Sequence, residues 1–140
     1  MKLKKSYYIL AILVVLSLIK IDYRLDEIPY GLEVDDAEYY YNAVTIGLDM
    51  ANWLSFQIAD GDVRHFDRMH TILSSNYYGF DQIDIPIDMF IKALSKDKKN
   101  IRKGEVTLIL PNKDAIIKKG RYVNDEIFKS LCNKYLTKVR

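Results

Sequence analysis

A lysine-rich stretch in the second half of the chain is the first place where side chains could do chemistry. Residues 96–103, here called the basic segment, place five cations around one acid, Asp97. The cations are Lys96, Lys98, Lys99, Arg102 and Lys103. Clustered ammonium and guanidinium groups bind anionic oxygens such as those of phosphate. Because a helix C-terminus also favours cations, a solvated basic loop at a helix end is the alternative interpretation.

The histidines and the single cysteine give weaker signals. His65 and His70 are spaced i, i+5, so they diverge around a helix rather than share a face. His70 follows Phe66 by four residues and Val63 by seven, which predicts a hydrogen-bonded core histidine, whereas we expect His65 at the surface. Cys132 can supply at most one thiolate to a zinc site, and its place on an inward helix face predicts a small core residue.

Length and composition indicate one globular domain with little excess charge. Of the 140 residues, 49% are hydrophobic and 29% are charged, and the net charge is +2. A chain of this length can bury a core of its own. The small net charge argues against binding through bulk electrostatics, so no nucleic-acid partner is expected.

The N-terminus carries an apolar stretch, because residues 7–19 contain no charge after the basic start MKLKK. A spanning helix needs about 20 apolar residues, more than this stretch offers. Three interpretations stay open: a buried or helix-packing segment, a membrane anchor, and a signal peptide, although KIDYRLDEIPYG lacks a small-x-small cleavage site. We therefore divide the chain into residues 1–29, an apolar helix with a connector, and residues 30–140, and expect a cytoplasmic protein whose membrane association would depend on residues 7–19.

Periodicity and capping residues predict two helices after this boundary. The first covers residues 35–58, with Asp35 or Asp36 as its cap. Its predicted apolar face consists of Ala37, Tyr41, Val44, Leu48 and Ala51. A turn follows at the DGD of residues 60–62. The second helix, over about residues 62–74, is predicted to turn inward Val63, Phe66, Met69 and Leu73.

The remaining sequence predicts a short helix, one β element and a closing helix. Pro86 suits a first helical turn and is followed at helical spacing by Ile87, Phe90, Ile91 and Leu94. EVTLILP predicts a strand, and AIIKKGRYV predicts a weaker one that could pair with it across NKD. NDEIFKSLCNKYL predicts a helix capped by Asn124 or Asp125, with inward side chains Phe128, Leu131, Cys132 and Tyr135. The expected fold class is mainly α.

Two stretches together resemble one enzyme family. NAVTIGLDMANWLS is similar to the segment after the metal-binding histidine in 3-dehydroquinate synthase and related sugar-phosphate cyclases, whose pattern is roughly His-Gly-x-Ala-Val-x-Ile-Gly-Met. ALSKDKKN, followed by a glycine and a TLILP-type strand, resembles that family's Asp-Lys-Lys segment, which also lies between a helix and a strand. With the closing VNDEIFKSLCNKYL, the resemblance covers about residues 30–138, the family's helical C-terminal domain.

The resemblance implies a multi-helix domain of the dehydroquinate-synthase-like fold with one short β element. Members of the family are lyases that eliminate phosphate and close a phosphorylated sugar into a ring. They use bound NAD for transient oxidation and zinc or another divalent metal to polarise the substrate. A lysine of the Asp-Lys-Lys segment lies at the substrate site. The resemblance therefore assigns substrate binding to Lys98 or Lys99, with Asp97 holding its neighbour in place.

The chain departs from the family pattern at the metal site. Alignment on AVTIG puts Tyr40 at the position of a metal-binding histidine, and a weaker match at DEIPYGLE puts Asp26 and Tyr30 at the two upstream histidines. A neutral tyrosine is a poor zinc ligand, and Asp26 alone could not hold the metal. No Gly-rich dinucleotide fingerprint occurs, and the family's third ligand precedes this domain. We expect no catalytic residue, no confident metal ligand and no cofactor in this chain.

The expected function is therefore that of a degenerate or truncated C-terminal domain, a pseudoenzyme that is inactive alone. It would partner a separately encoded nucleotide-binding half or assemble with itself. The alternative is a small membrane-anchored interaction protein, with residues 7–19 in the bilayer and the basic segment at the lipid surface.

Overall fold

The computed structural model describes residues 34–80, 82–96 and 102–140. In this part of the chain the elements are α1 (Val34–Ile58), α2 (Val63–Asn76), α3 (Ile87–Ser95), β1 (Glu105–Pro111), β2 (Ile117–Val123) and α4 (Glu126–Lys134), followed by a π-helical turn over Tyr135–Val139. The expectation of a mainly helical chain with one small β element is confirmed. None of these described helices is long and apolar enough to cross a membrane. Residues 7–19 and the expected boundary at residues 29 and 30 lie outside the described residues.

The long helix α1 turns a different face inward from the one that its spacing predicts. Tyr41 and Leu48 are 57% and 48% exposed, so their predicted inward positions were wrong, whereas Ala51 is buried. The buried apolar face consists of Ala43, Ile46, Met50, Trp53 and Leu54. Because α1 is apolar on several sides, helical spacing fits more than one face. The face with the larger side chains removes more apolar surface from water, and this is the face that packs against the core.

The predicted N-cap is confirmed for helix α4 and wrong for helix α1. Helix α1 already includes Val34, so Asp35 and Asp36 lie in its first turn and neither is the N-cap. Helix α4 does begin at a predicted cap, because the Asp125 carboxylate accepts a hydrogen bond from the backbone N–H of Phe128 at 2.8 Å. A carboxylate at this position satisfies a backbone donor that has no partner within the helix.

Helix α2 lies against α1 and begins after a tight turn. A Cβ atom on Gly61 would lie 2.6 Å from the backbone carbon of Ser55, so the turn at residues 60–62 needs a glycine to approach the end of α1. Phe66 is buried with its ring centroid 5.5 Å from that of Trp53. Val63, predicted inward, is 48% exposed, because the buried contact begins only at Phe66. The predicted inward positions of Met69 and Leu73 are half-buried.

The short helix α3 and the hairpin match their patterns closely. Pro86 occupies the N-cap of α3 rather than its first turn, and the helix buries Phe90 and Leu94. Strands β1 and β2 pair antiparallel across the predicted turn, with Glu105 opposite Val123. Strand β1 buries its alternate residues against the helices, and these are Val106, Leu108 and Leu110. Strand β2 is the exposed edge of the hairpin.

The C-terminal elements complete the core. Helix α4 buries Phe128 and Cys132, and the π-helical turn buries Tyr135. Leu131, also predicted inward, is half-buried. Tyr135 places its ring 6.4 Å from Trp53, so the last element packs onto the middle of α1.

Candidate functional site

The basic segment lies between the end of α3 and the start of β1, and only its two ends are described. Lys98, Lys99 and Asp97 fall in residues 97–101, outside the described residues. At one end, the backbone N–H of Lys96 caps the C-terminus of α3 by donating to the carbonyls of Ala93 and Leu94. At the other end, Lys103 is exposed, and the ion pair of Arg102 with Glu105 is 4.0 Å long. The ends are therefore solvated, with cations beside a helix C-terminus.

Only one of the three degenerate metal positions falls within the described residues. Asp26 and Tyr30 lie outside the described residues, and Tyr40 lies in the backbone of α1. Among the described residues no group of three or more histidine, cysteine, aspartate or glutamate side chains could hold a metal ion.

A buried polar cluster, which we call the Asp49 cluster, joins α1, α2 and the C-terminal turn. The side chain of Asp49 is completely buried, and one oxygen, Oδ2, meets three partners. His70 Nδ1 lies 2.7 Å away, the Tyr135 hydroxyl donates at 2.8 Å and the Tyr77 hydroxyl donates at 3.0 Å. A carboxylate only accepts hydrogen bonds, so Nδ1 of His70 is the donor in this contact.

Both tyrosines of the Asp49 cluster are held as neutral phenols. Burial, followed by the charge of Asp49, raises the pKa of Tyr77 above its usual value. Burial also raises the pKa of Tyr135 well above its usual value, again with Asp49 as the next cause. Neither hydroxyl is therefore available as a base, and both serve as fixed donors to the carboxylate.

The imidazole of His70 is fixed in position and keeps one nitrogen for other partners. Its ring stacks on Phe66 with the centroids 5.0 Å apart, and its side chain is 28% exposed. Nδ1 points to Asp49, so Nε2 lies on the other side of the ring, where no described residue bonds it. An imidazole held at one nitrogen by a buried carboxylate can accept a proton or a hydrogen bond at the other.

A cavity of about 380 Å³ lies beside this imidazole. Helix α2 contributes His70, Ser74 and Ser75, and the loop after it contributes Tyr77 and Tyr78. The C-terminal residues Val139 and Arg140 also line the cavity. The walls therefore offer several hydroxyl groups around a positioned ring nitrogen.

Two buried polar atoms of α1 have no hydrogen-bond partner in the described part of the chain. They are Oδ1 of Asp49 and Nε1 of Trp53. An unsatisfied buried group costs about 1–3 kcal/mol, so the Asp49 cluster is not the least costly way to fill this core.

Sequence reasoning reached part of this arrangement. The hydrogen-bonded state of His70 is confirmed, as is the buried position of Cys132, whose pKa burial raises to about 12. His65 is half-exposed and lies 3.2 Å from the Arg68 guanidinium. The central residue, Asp49, was missed, although an acid between the apolar residues of GLDMANWL is a recognisable signal.

Comparison with known proteins gives no independent identification. No family model, no curated protein and no solved structure matches this chain.

Proposed function

We propose that the chain is a degenerate form of the helical C-terminal domain of a 3-dehydroquinate-synthase-like cyclase, and that it binds anions without catalysing ring closure alone. The order of its elements supports this proposal. The AVTIG stretch lies inside the long helix α1, and the basic segment lies between a helix and the strand β1. A short closing helix, α4, follows the hairpin.

The observation that carries the proposal is the position of the basic segment. It begins at Lys96, the C-cap of α3, and is followed by Gly104, whose φ is +85°, and by β1. By resemblance Lys98 and Lys99 would contact a phosphorylated substrate there, and Asp97 would hold its neighbour in place.

The resemblance also implies a partner. The family encloses its substrate between a nucleotide-binding domain and the helical domain, and the nucleotide-binding fingerprint is absent here. A separately encoded nucleotide-binding half, or a second copy of this chain, would supply the opposite wall. NAD and a divalent metal would then belong to the assembled form.

Anion binding by the isolated chain should be weak and sensitive to salt. Exposed charge pairs contribute only about 0–1 kcal/mol, and physiological salt screens them beyond about 8 Å. We therefore expect a hexose phosphate to bind with a dissociation constant of about 1 mM or weaker, and more weakly at high salt.

The test is a titration of the full chain with a hexose phosphate at low and at high salt. Binding is monitored through the chemical shifts of the backbone amides. The Lys98→Ala/Lys99→Ala variant should lose the shifts. The matched control is Lys118→Ala/Lys119→Ala, which removes an exposed lysine pair from β2. Equal shifts in wild type and in the Lys98/Lys99 variant would show that the basic segment is only a solvated loop.

A further inference from the structure

The cavity beside His70 differs from the basic segment in its residues and in its chemistry. It is built on α2, the loop after it and the C-terminal turn, and none of its lining residues belongs to residues 96–103. Its volume of about 380 Å³ lies within the range of small-molecule sites, roughly 300–1,000 Å³.

The first recognition group is Nε2 of His70. The bond from Nδ1 to Asp49 and the stack on Phe66 fix the position and the plane of the ring. Nε2 is therefore held in place before a ligand arrives. Preorganisation of this kind lowers the entropic cost of binding.

Hydroxyl groups lie around Nε2 of His70. Ser74 lies one helical turn after His70, on the same side of α2, and its hydroxyl bonds no described residue. Ser75 donates its hydroxyl to the carbonyl of Ile72 at 2.7 Å, which leaves its oxygen lone pairs as acceptors. Hydroxyls of this kind can both donate and accept, as the hydroxyls of a polyol do.

Tyr78 adds an aromatic surface at the mouth of the cavity. It is 88% exposed and lines the cavity. A phenol ring beside a group of hydroxyls offers an apolar face and a polar edge to one ligand.

The charges around the cavity favour a neutral ligand. The buried carboxylate of Asp49 stands behind His70, and the C-terminus of α2, which ends at Asn76, adds negative potential. Arg140 opposes them, and its guanidinium donates to the carbonyl of Ile83 at 2.6 Å. Apart from His70 and Arg140, the described lining side chains carry no charge, so hydroxyl groups rather than a cluster of like charges dominate the cavity.

We propose that this cavity is a binding site for a small neutral polyhydroxylated molecule, such as a monosaccharide, which forms a hydrogen bond between one of its hydroxyls and Nε2 of His70 and lies against Tyr78. The site is additional to the anion-binding function and does not depend on it.

The experiment uses the full chain and glucose as the probe. The chain has two histidines, so its imidazole proton–nitrogen spectrum contains two sets of signals, and His65→Gln and His70→Gln variants assign them. Glucose should shift the Nε2 signal of His70 and leave that of His65 unchanged. Tyr78→Ala and Ser74→Ala alter exposed or rim groups and should each weaken binding by about tenfold. Lys98→Ala/Lys99→Ala should bind glucose as the wild type does.

Three results would overturn the proposal. The first is an unchanged His70 signal at saturating glucose concentration. The second is an equal shift of His65, which would indicate a bulk effect. The third is a His70 shift with inorganic phosphate and none with glucose, which would make the cavity an anion site.

Discussion

Replacing Asp49 with alanine should reveal how much the Asp49 cluster contributes to the fold. The substitution removes the common acceptor of His70, Tyr77 and Tyr135. The three donors are not affected equally. Tyr77 is 1% exposed and donates its hydroxyl to Asp49, whereas Tyr135 also donates to the carbonyl of Ile46 at 3.2 Å. His70 is 28% exposed and can bind water.

The expected loss follows from these differences. A buried donor that loses its acceptor costs about 1–3 kcal/mol, which applies in full to Tyr77 and in part to Tyr135. Removing Asp49 also removes the buried oxygen Oδ1, which has no partner among the described residues, and this offsets part of the loss. We therefore expect Asp49→Ala to lower the free energy of unfolding by about 2–3 kcal/mol.

The assay is urea unfolding of the full chain, monitored by the fluorescence of the single tryptophan, Trp53, which lies in the core. The control is Asp67→Ala, an exposed acid on α2, which should change little. Tyr77→Phe should cost about 1–2 kcal/mol alone but should recover part of the lost stability in the Asp49→Ala background, because it removes the buried donor that Asp49→Ala leaves without an acceptor. A loss for Asp49→Ala no larger than that for Asp67→Ala, or additive effects of Asp49→Ala and Tyr77→Phe, would refute the reasoning.

Three further outcomes are expected. Because burial raises the pKa of Cys132 to about 12, a disulfide reagent should modify this thiol only after unfolding, and rapid reaction of the native chain would contradict its burial. Asp125→Ala should lose about 1 kcal/mol in urea unfolding, and Asp125→Asn much less, since an amide oxygen can still cap α4. Hydrogen bonds from Arg64 lower the pKa of Asp62, so its contribution is present above the unfolded-state pKa and is lost as the pH falls through the lowered one. The stability difference between wild type and Asp62→Ala should therefore disappear in strong acid, and a constant difference would count against this linkage.

Elements with one strong apolar pattern could be predicted from the sequence. Helix α3 buries Phe90 and Leu94, and β1 buries Val106, Leu108 and Leu110, because the large apolar side chains of each element are concentrated on one side. Helix α1 could not be oriented in this way. Tyr41 and Leu48 fit a helical stripe as well as Met50 and Leu54 do, and only the elements packed around α1 decide between the two faces.

The Asp49 cluster was beyond prediction for a different reason. The partners of Asp49 lie 21, 28 and 86 residues further along the chain. Periodicity describes neighbours within an element and carries no information on such distant contacts. The hydrogen bond of His70 could be expected from its place on an apolar helix face, but its acceptor could not.

The most direct test of the proposed ancestry is to restore the histidines that the resemblance places at Asp26 and Tyr40. If the alignment is correct, Asp26→His/Tyr40→His brings two imidazoles to the former metal position, and zinc affinity should rise at least about tenfold over the wild type. The matched control, Asp26→His/Tyr41→His, moves the second histidine to the next residue of α1, where the native side chain is 57% exposed.

Zinc affinity is measured by competition with a chromophoric chelator. The wild type and the control should bind zinc more weakly than about micromolar. Only Asp26→His/Tyr40→His should bind zinc more tightly. Equal zinc affinity in the two double variants, or stoichiometric zinc that the wild type retains through dialysis and that is lost on Asp26→Ala or Tyr40→Phe, would contradict the proposed ancestry.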